Sequence, residues 1–572
     1  MEENAGVVKP FSTLDDLYRN LDKLRSWPRI EPLRQCAEYV YSGSAMEKAS
    51  GTLTRLNRSE QPRTIVCHDM MGGYLEDRFI NGSSDPTSYT FYHWSIIDTF
   101  IYFSHHMVTI PPFGWINAAH KHGVKVLGTV ITEHKDGEAI WNEVLSSSEK
   151  TKKFADALIT LTKFYGFEGW LLNVENKIQA EDIERLQFFV RYLTNGLRND
   201  VANSEVIWYD SIIHDGRLKW QNQLNEENQL FFDCCDGIFL NYNWSDESLG
   251  STREIAARNG RLKDVYVGLD VWGRGCPGGG GFNSIHALER IRKFDLSVAI
   301  FAPGWTHENF GASTFEKIEN IFWAQLTPLL YVHVPIYRNE SFATSFCRGY
   351  GRSLYEFGES DQRQSFFNLN LQNLQISVPS LHLKFTYKDI PEPPPKSASN
   401  KRQQPPECTF ETPFEVIKVQ GKTITFLPKN LITLINRTDF CSEFSYGGGG
   451  CLQITTIHPQ NYHRLFLTHL EFSEDVKASL IYRESEEVLA NTENRTRAPT
   501  LVLINNSNNT SNFLQANETF QLDTRWRKSY YTPNLRTINE IAVAFSYEGR
   551  HYLGELKIEP VRHFFNPLLR LT

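Results

Sequence analysis

The chain has no surplus of positive charge: 59 Lys and Arg stand against 67 Asp and Glu, a formal net charge of −8. Nothing is left over to neutralise a phosphate backbone or an anionic bilayer, so neither nucleic acid nor a membrane surface is an expected partner. A run of about 18 apolar residues is also missing, which excludes an apolar helix that spans a bilayer. The opening stretch MEENAGVVKPFSTLDDL is neither basic nor apolar, so no secretory leader is read there and the cytosol is the expected compartment. Cysteine is scarce and irregular. Nine in 572 residues, an odd number without a repeated spacing, fit reduced thiols rather than a disulfide framework. The Asn-x-Ser/Thr triplets, Asn243 among them, are read as unmodified asparagines on the same ground.

What the chain does have is apolar and aromatic substance. Hydrophobic residues make up 41% and charged ones 22%, the range of a globular protein, and the length calls for several domains. Of the 12 Trp, ten fall between Trp94 and Trp323. In that region eight short β-branched runs alternate with helical patterns: 63–70, 98–104, 125–131, 169–175, 205–211, 237–243, 264–272 and 297–303. Phe154, Leu158, Leu161 and Tyr165 recur at helical spacing before Gly166, as do Ile183, Leu186, Val190 and Leu193 before Gly196, and both glycines are read as helix caps. Ser313 to Glu316 has capping-box spacing ahead of a helix towards Trp323. Eight β/α alternations in about 250 residues predict an α/β protein with a (β/α)8 barrel. A doubly wound open sheet is the alternative.

Past residue 345 the pattern changes to short alternating strands, such as 381–387, 423–426 and 541–547, separated by Asn, Gly and Pro. That reads as β-sandwich. The expected division is a lead-in at 1–59 packed on the barrel's outside, the barrel at 60–345, and a β-sandwich region at 346–572 formed as two small sandwiches. Within the last, residues 391–407 hold six prolines and no large apolar residue, and are expected to be a mobile insertion.

A (β/α)8 barrel builds its site at the carboxyl ends of its strands. The fourth run ends Leu172-Asn173-Val174-Glu175. Strand side chains alternate, so Asn173 and Glu175 share a side, with Glu175 nearer the mouth. An amide inside a barrel filled by Val, Ile and Leu is costly without a partner. Common glycosidases need two carboxyl groups, but a substrate with a 2-acetamido group can use its own carbonyl oxygen as nucleophile. One carboxyl then suffices to protonate the leaving oxygen and activate water, while an amide orients the acetamido group. Tyr209, near the end of the fifth run, could add a phenolic hydrogen bond to that group.

These residues carry a family resemblance. Phe167-Glu-Gly-Trp-Leu-Leu-Asn-Val-Glu175 resembles the fourth-strand signature of family 18 chitinases, with Asn173 where those enzymes use aspartate. It is closer to the endo-β-N-acetylglucosaminidases of glycoside hydrolase family 85, and the cytosolic animal members are the nearest match. Cys67 to Arg78, Gly169 to Asn176, Trp208-Tyr-Asp-Ser211, Val267 to Gly275, Phe301-Ala-Pro-Gly-Trp305 and Phe346-Cys-Arg-Gly-Tyr-Gly351 look like that family's blocks. The resemblance implies retaining hydrolysis between the two GlcNAc residues of an N-glycan core, on free glycans or glycopeptides, without a cofactor or metal. It further implies that Glu175 is the acid/base, that Asn173 orients the acetamido group and that Tyr209 assists. Trp220, Trp244 and Trp305 would line sugar subsites, joined by Asp270 and Trp272. A monomer is expected.

Other signals are set aside. Gly273-Arg-Gly-Cys-Pro-Gly278 matches G-x-G-x-x-G, but Pro277 and Gly279 to Gly281 forbid the helix a dinucleotide site needs directly after it, and a cleft-edge loop is expected. Cys234-Cys235 and His105-His106 are adjacent pairs, not spaced for zinc. Gly447 to Gly450 reads as a loop or bulge. Two functional alternatives stay open: Asp270 as a covalent nucleophile, and a sugar-binding barrel without catalysis.

Overall fold

In a computed structural model of the chain, the eight apolar runs form one closed cylinder. The residues described are 6–27, 29–47, 52–360, 364–377, 385–387, 415–419, 422–428, 436–456, 459, 461–485 and 498–561. The barrel strands are β1 (Thr64–His68), β2 (Thr99–Tyr102), β3 (Lys125–Glu133) and β4 (Gly169–Glu175), followed by β5 (Glu205–Tyr209), β6 (Gly237–Leu240), β7 (Val265–Asp270) and β8 (Ser297–Phe301). Their order is β2-β1-β8-β7-β6-β5-β4-β3, all neighbours are parallel, and β2 pairs with β3 to close the ring. Closure excludes the open sheet. The near-continuous apolar character of these runs has its cause here, because a parallel strand covered on both faces has no side for polar residues.

The surrounding helices show where local signals hold and where packing overrides them. Helix α1 (Ser148–Tyr165) begins with the Ser147 hydroxyl accepting the Lys150 N–H and ends on Gly166 at φ 73°, as the pattern predicts. Helix α2 (Ile183–Asp200) does not stop at Gly196. Leu197 continues the buried stripe, and Gly196 lies against α1, where a Cβ would stand 2.4 Å from Ile159 Cδ1. That glycine allows two helices to approach rather than capping one. Helix α3 (Phe315–Leu326) lacks the expected capping box. Glu316 instead meets the Arg348 guanidinium at 2.8 Å and accepts the Phe440 N–H, so it ties the helix to the β-rich tail.

Ten strands of the tail, joined by Cys36–Ser42, Leu56–Asn57, Tyr331–Arg338 and Phe342–Thr344, form two seven-stranded sheets, and a separate three-stranded sheet holds Phe385–Tyr387, Glu415–Val419 and Lys422–Pro428. Between the two larger sheets lies one core that includes Phe342, Ile454, Leu465, Leu480, Leu503, Ile541 and Leu553. The two small sandwiches expected from sequence are thus a single sandwich among the described residues. The lead-in contributes to it directly: Cys36–Ser42 pairs antiparallel with Tyr331–Arg338, which runs parallel to His463–Glu471. Helix Leu14–Asn20 buries Leu14 and Leu17 in the barrel's apolar cluster. The expected strand at 423–426 lies within Lys422–Pro428, that at 541–547 within and just past Thr537–Ala544, and that at 381–387 is described only as Phe385–Tyr387. Residues 391–407 lie outside the described residues. No helix among the described residues is long and apolar enough to cross a membrane.

Candidate active site

Strand β4 delivers its two polar side chains to the carboxyl mouth together. Asn173 is buried, Glu175 is half-buried, and the Asn173 amide acts on the Glu175 carboxyl. With its Nδ2 turned to that carboxyl, the Asn173 amide presents its carbonyl oxygen to an N–H of a ligand. The Glu175 carboxyl also receives a side-chain hydrogen bond from Trp220. Burial pushes the Glu175 carboxyl above its ordinary range, and Glu133 pushes in the same direction. The bonds from Trp220 and Asn173 and the charge of Arg274 oppose them without reversing the shift.

Glu133 arrives by register. It is paired with Glu175 across the β3–β4 ladder, at the end of a strand that runs two residues further than its apolar part. His105 lies between Glu133 and Asp69, 3.9 Å and 4.0 Å from their carboxyl oxygens.

Tyr209 closes the other flank. Its hydroxyl donates to Asn241 Oδ1 at 2.9 Å, and Asn241 in turn donates to Asn222 Oδ1 at 2.8 Å. Burial, and next the Glu175 charge, hold the Tyr209 hydroxyl well above its usual range, so it stays a phenol. Asp210, fully buried, accepts from the backbone N–H groups of Gln221 and Asn222 and from Asn228 Nδ2 at 3.0 Å. These bonds pin the loop that carries Trp220. The Trp220 ring keeps 41% of its surface exposed, a flat apolar face beside the acid.

The remaining expected residues divide. Asp270 is fully buried and accepts from Trp272 N, Arg274 N and Arg274 Nε, the last at 2.8 Å. These three donors hold the Asp270 carboxyl against Arg274 and the backbone of its own loop. Arg274 lies 4.8 Å above the Trp272 ring and 5.3 Å from that of Phe301. Trp272 is half-buried and hydrogen-bonds to Glu308, which also accepts the Met71 N–H. Trp305 is half-buried against Phe282 and Phe310, with Gly281 at its ring edge. Trp244 is a correction: it is 4% exposed and its indole N–H donates to the Gly268 carbonyl, so it offers a sugar no face.

The sequence reading passed over Glu133, Arg274, Asp69, Asn241 and Asp210. Asp69, Asn241 and Asp210 sit at ends of apolar runs, where a barrel's site is built, and Arg274 falls inside a block already quoted for its resemblance. Glu133 is two residues past the third run as it was bounded. Among the described residues no group of three His, Cys, Asp or Glu is placed to hold a metal ion.

A carboxyl that burial pushes above its ordinary range, beside an amide at the carboxyl mouth of a (β/α)8 barrel, is an arrangement suited to acid–base chemistry on a ligand with an N–H to offer. Residues 74–354 match the model of Glycosyl hydrolase family 85. The chain is 46% identical over 357 residues to a cytosolic endo-beta-N-acetylglucosaminidase of Danio rerio, covering 62% of this chain and 49% of that protein. It is 46% identical over 318 residues to the Homo sapiens protein of the same name, covering 55% and 42%. Arabidopsis thaliana cytosolic endo-beta-N-acetylglucosaminidase 2 is 40% identical over 416 residues, covering 72% and 56%. The chain thus spans about half the length of the curated relatives it matches. Among solved structures, the Endo-D glycoside hydrolase domain of Streptococcus pneumoniae R6 superposes with a TM-score of 0.68 at 16% identity, covering 98% of this chain and 84% of that one, and so shares the fold.

Proposed function

We propose that the chain is an endo-β-N-acetylglucosaminidase that cleaves the GlcNAc-β1,4-GlcNAc bond of an N-glycan core, with retention of configuration and with the substrate's acetamido group as nucleophile. The observation that carries the reading is the placement of Asn173 and Glu175 on one side of β4 at the barrel's mouth, the amide acting on the carboxyl, while Asp270 is engaged by Arg274. The acetamido oxygen bonds to the anomeric carbon as the glycosidic bond breaks, and Glu175 gives its proton to the departing oxygen. The Asn173 carbonyl oxygen accepts the acetamido N–H and favours the imidate-like form that becomes an oxazoline. Glu175, now a carboxylate, takes a proton from water, which attacks the same carbon from the face the leaving group vacated. Tyr209 donates its hydroxyl toward the acetamido oxygen once it turns from Asn241 Oδ1, and Trp220 supplies an apolar face for a sugar ring. The names of the relatives support a cytosolic setting; free N-glycans or glycopeptides are the proposed substrates, with no cofactor and with a monomer as the working form.

The test uses a labelled mannose-rich N-glycan with both core GlcNAc units and mass analysis of the products. A glycan shortened by one GlcNAc is expected, with the rate falling about 10³-fold or more in Glu175→Gln. Asn173→Ala should lose hydrolysis yet still turn over a preformed sugar oxazoline. Equal loss on both substrates would remove the role given to Asn173.

A further inference from the structure

The Gly447–Gly450 run belongs to a loop that the glycosidase reading leaves unused, and a cysteine stands at each end of that loop. Strand β9 (Asn436–Cys441) and strand β10 (Cys451–Thr456) are antiparallel neighbours in the tail, and Cys441 and Cys451 are direct partners in their ladder. Residues opposite each other in such a ladder have Cα atoms about 4.5 or 5.5 Å apart, and both values fall within the span a disulfide bridges. Each thiol also acts on the other: Cys451 lowers Cys441, and Cys441 raises Cys451.

Their surroundings make the two unequal. The Cys441 sulfur accepts hydrogen bonds from Cys451 and from the backbone N–H groups of Glu443 and Phe444, and it retains 8% exposure. These bonds, that of Cys451 first, hold its thiol down at about 7, against burial and the Glu443 charge. Cys451 is fully buried, and burial pushes its thiol well up. Arg483 stacks 3.8 Å above Phe444 and its charge also acts on Cys451, as the Tyr552 hydroxyl does on Arg483 from the next strand. The contrast with the other thiols is sharp: burial pushes Cys36, Cys235 and Cys276 each up to about 12, and raises Cys67, Cys234 and Cys347 as well.

We propose that Cys441 and Cys451 form a reversible, peroxide-sensitive thiol–disulfide site, with Cys441 as the attacking sulfur and Cys451 as the resolving one. The Cys441 thiolate attacks one oxygen of a hydroperoxide. The O–O bond breaks, and the departing oxygen takes up a proton, leaving as water when the oxidant is hydrogen peroxide. Cys441 becomes a sulfenic acid. The Cys451 sulfur then displaces the sulfenic hydroxyl, its own proton leaves with that oxygen as a second water, and the S–S bond forms. Two thiols have lost two electrons and two protons, and the peroxide has been reduced. An external thiol reverses the step by exchange. Small reach and little rearrangement are required, because register has already brought the partners together.

The test exposes the full reduced chain to hydrogen peroxide, blocks remaining thiols with a maleimide and maps the peptides by mass. The expected product is a Cys441–Cys451 disulfide that dithiothreitol removes. Without peroxide, alkylation of Cys441 at pH 7 should be at least about tenfold faster than that of Cys36, with its half-maximal rate near pH 7. In Cys451→Ser, a sulfenic acid on Cys441 should accumulate and be trapped by dimedone. A disulfide from Cys441 to any other cysteine, or both thiols still blocked by maleimide after the others have oxidised, overturns the proposal. If Cys451→Ser fails to fold, the wild-type map and alkylation rates decide alone.

Discussion

At the scale of single residues, the protonation of Glu175 is an effect of its neighbours rather than of its own chemistry. Burial disfavours the carboxylate, and so does the negative charge of Glu133. An acid catalyst must carry its proton, so activity is lost as pH rises through its pKa and the alkaline limb of kcat/KM reports that value. Removing the Glu133 charge makes ionisation of Glu175 easier and lowers the pKa. Glu133→Gln is therefore expected to move the alkaline limb to lower pH, and a pH–rate profile with the limb unmoved or raised would contradict the coupling. The role of Glu133 was hidden in the sequence because register, not spacing along the chain, places it beside Glu175. Asn173 and Glu175 were legible because both lie on one strand, where side-chain alternation alone puts them together. Trp244 was misjudged for a related reason: a tryptophan next to a strand end looks the same in sequence whether its ring turns outward or finds a buried carbonyl such as that of Gly268.

At the scale of elements, the continuous apolar runs were the readable part. β4 spans the residues expected of it, while β1, β5, β6 and β7 are shorter than their runs, since polar mouth residues such as Asp69, Asp210 and Asn241 leave the ladder to serve the site. Gly196 and the 313–316 spacing misled because a helix interior that needs close approach, and a glutamate recruited by Arg348, carry the same letters as caps. Helix α3 holds a second glutamate with a checkable consequence. Glu319 is fully buried, with the Trp323 indole on one oxygen at 2.9 Å and the Thr306 hydroxyl on the other. Burial pushes its carboxyl up to about 8, and because an unfolded glutamate titrates near about 4.3, the native state holds an extra proton between these values. Its contribution is complete below the lower value and is lost as pH rises through the upper one, at roughly 1.4 kcal/mol per pH unit in that interval. Glu319→Gln, which keeps the shape without the titration, should show a flatter fall in Tm between pH 6 and 9 than the parent. Parallel curves from the two proteins would show that Glu319 is ionised when folded.

At the scale of the whole molecule, the boundary expected near residue 345 cuts through a sheet. Tyr331–Arg338 is flanked on one side by Cys36–Ser42 and on the other by His463–Glu471, and its Val332 and Val334 are fully buried. A chain limited to 60–345 removes both neighbours and leaves unpaired strand edges beside newly exposed apolar side chains, an invitation to edge-to-edge association. Such a fragment is expected to elute as aggregate in size-exclusion chromatography with light scattering, whereas the full chain does not. A folded, monomeric fragment would show that the barrel stands without its flanks. Periodicity could not reveal this arrangement, because a strand's own pattern does not say which distant strand will lie beside it.

That shared sheet also orders events during synthesis. Cys36–Ser42 is made before the barrel, yet its neighbour Tyr331–Arg338 follows only after the entire barrel, and the strand beyond that, His463–Glu471, later still. Pairings so remote along the chain form slowly, and an early strand waiting with open edges is vulnerable meanwhile. A barrel that closes first leaves Cys36–Ser42 unmated until Tyr331–Arg338 is made, so the shared sheet is completed after the cylinder it flanks.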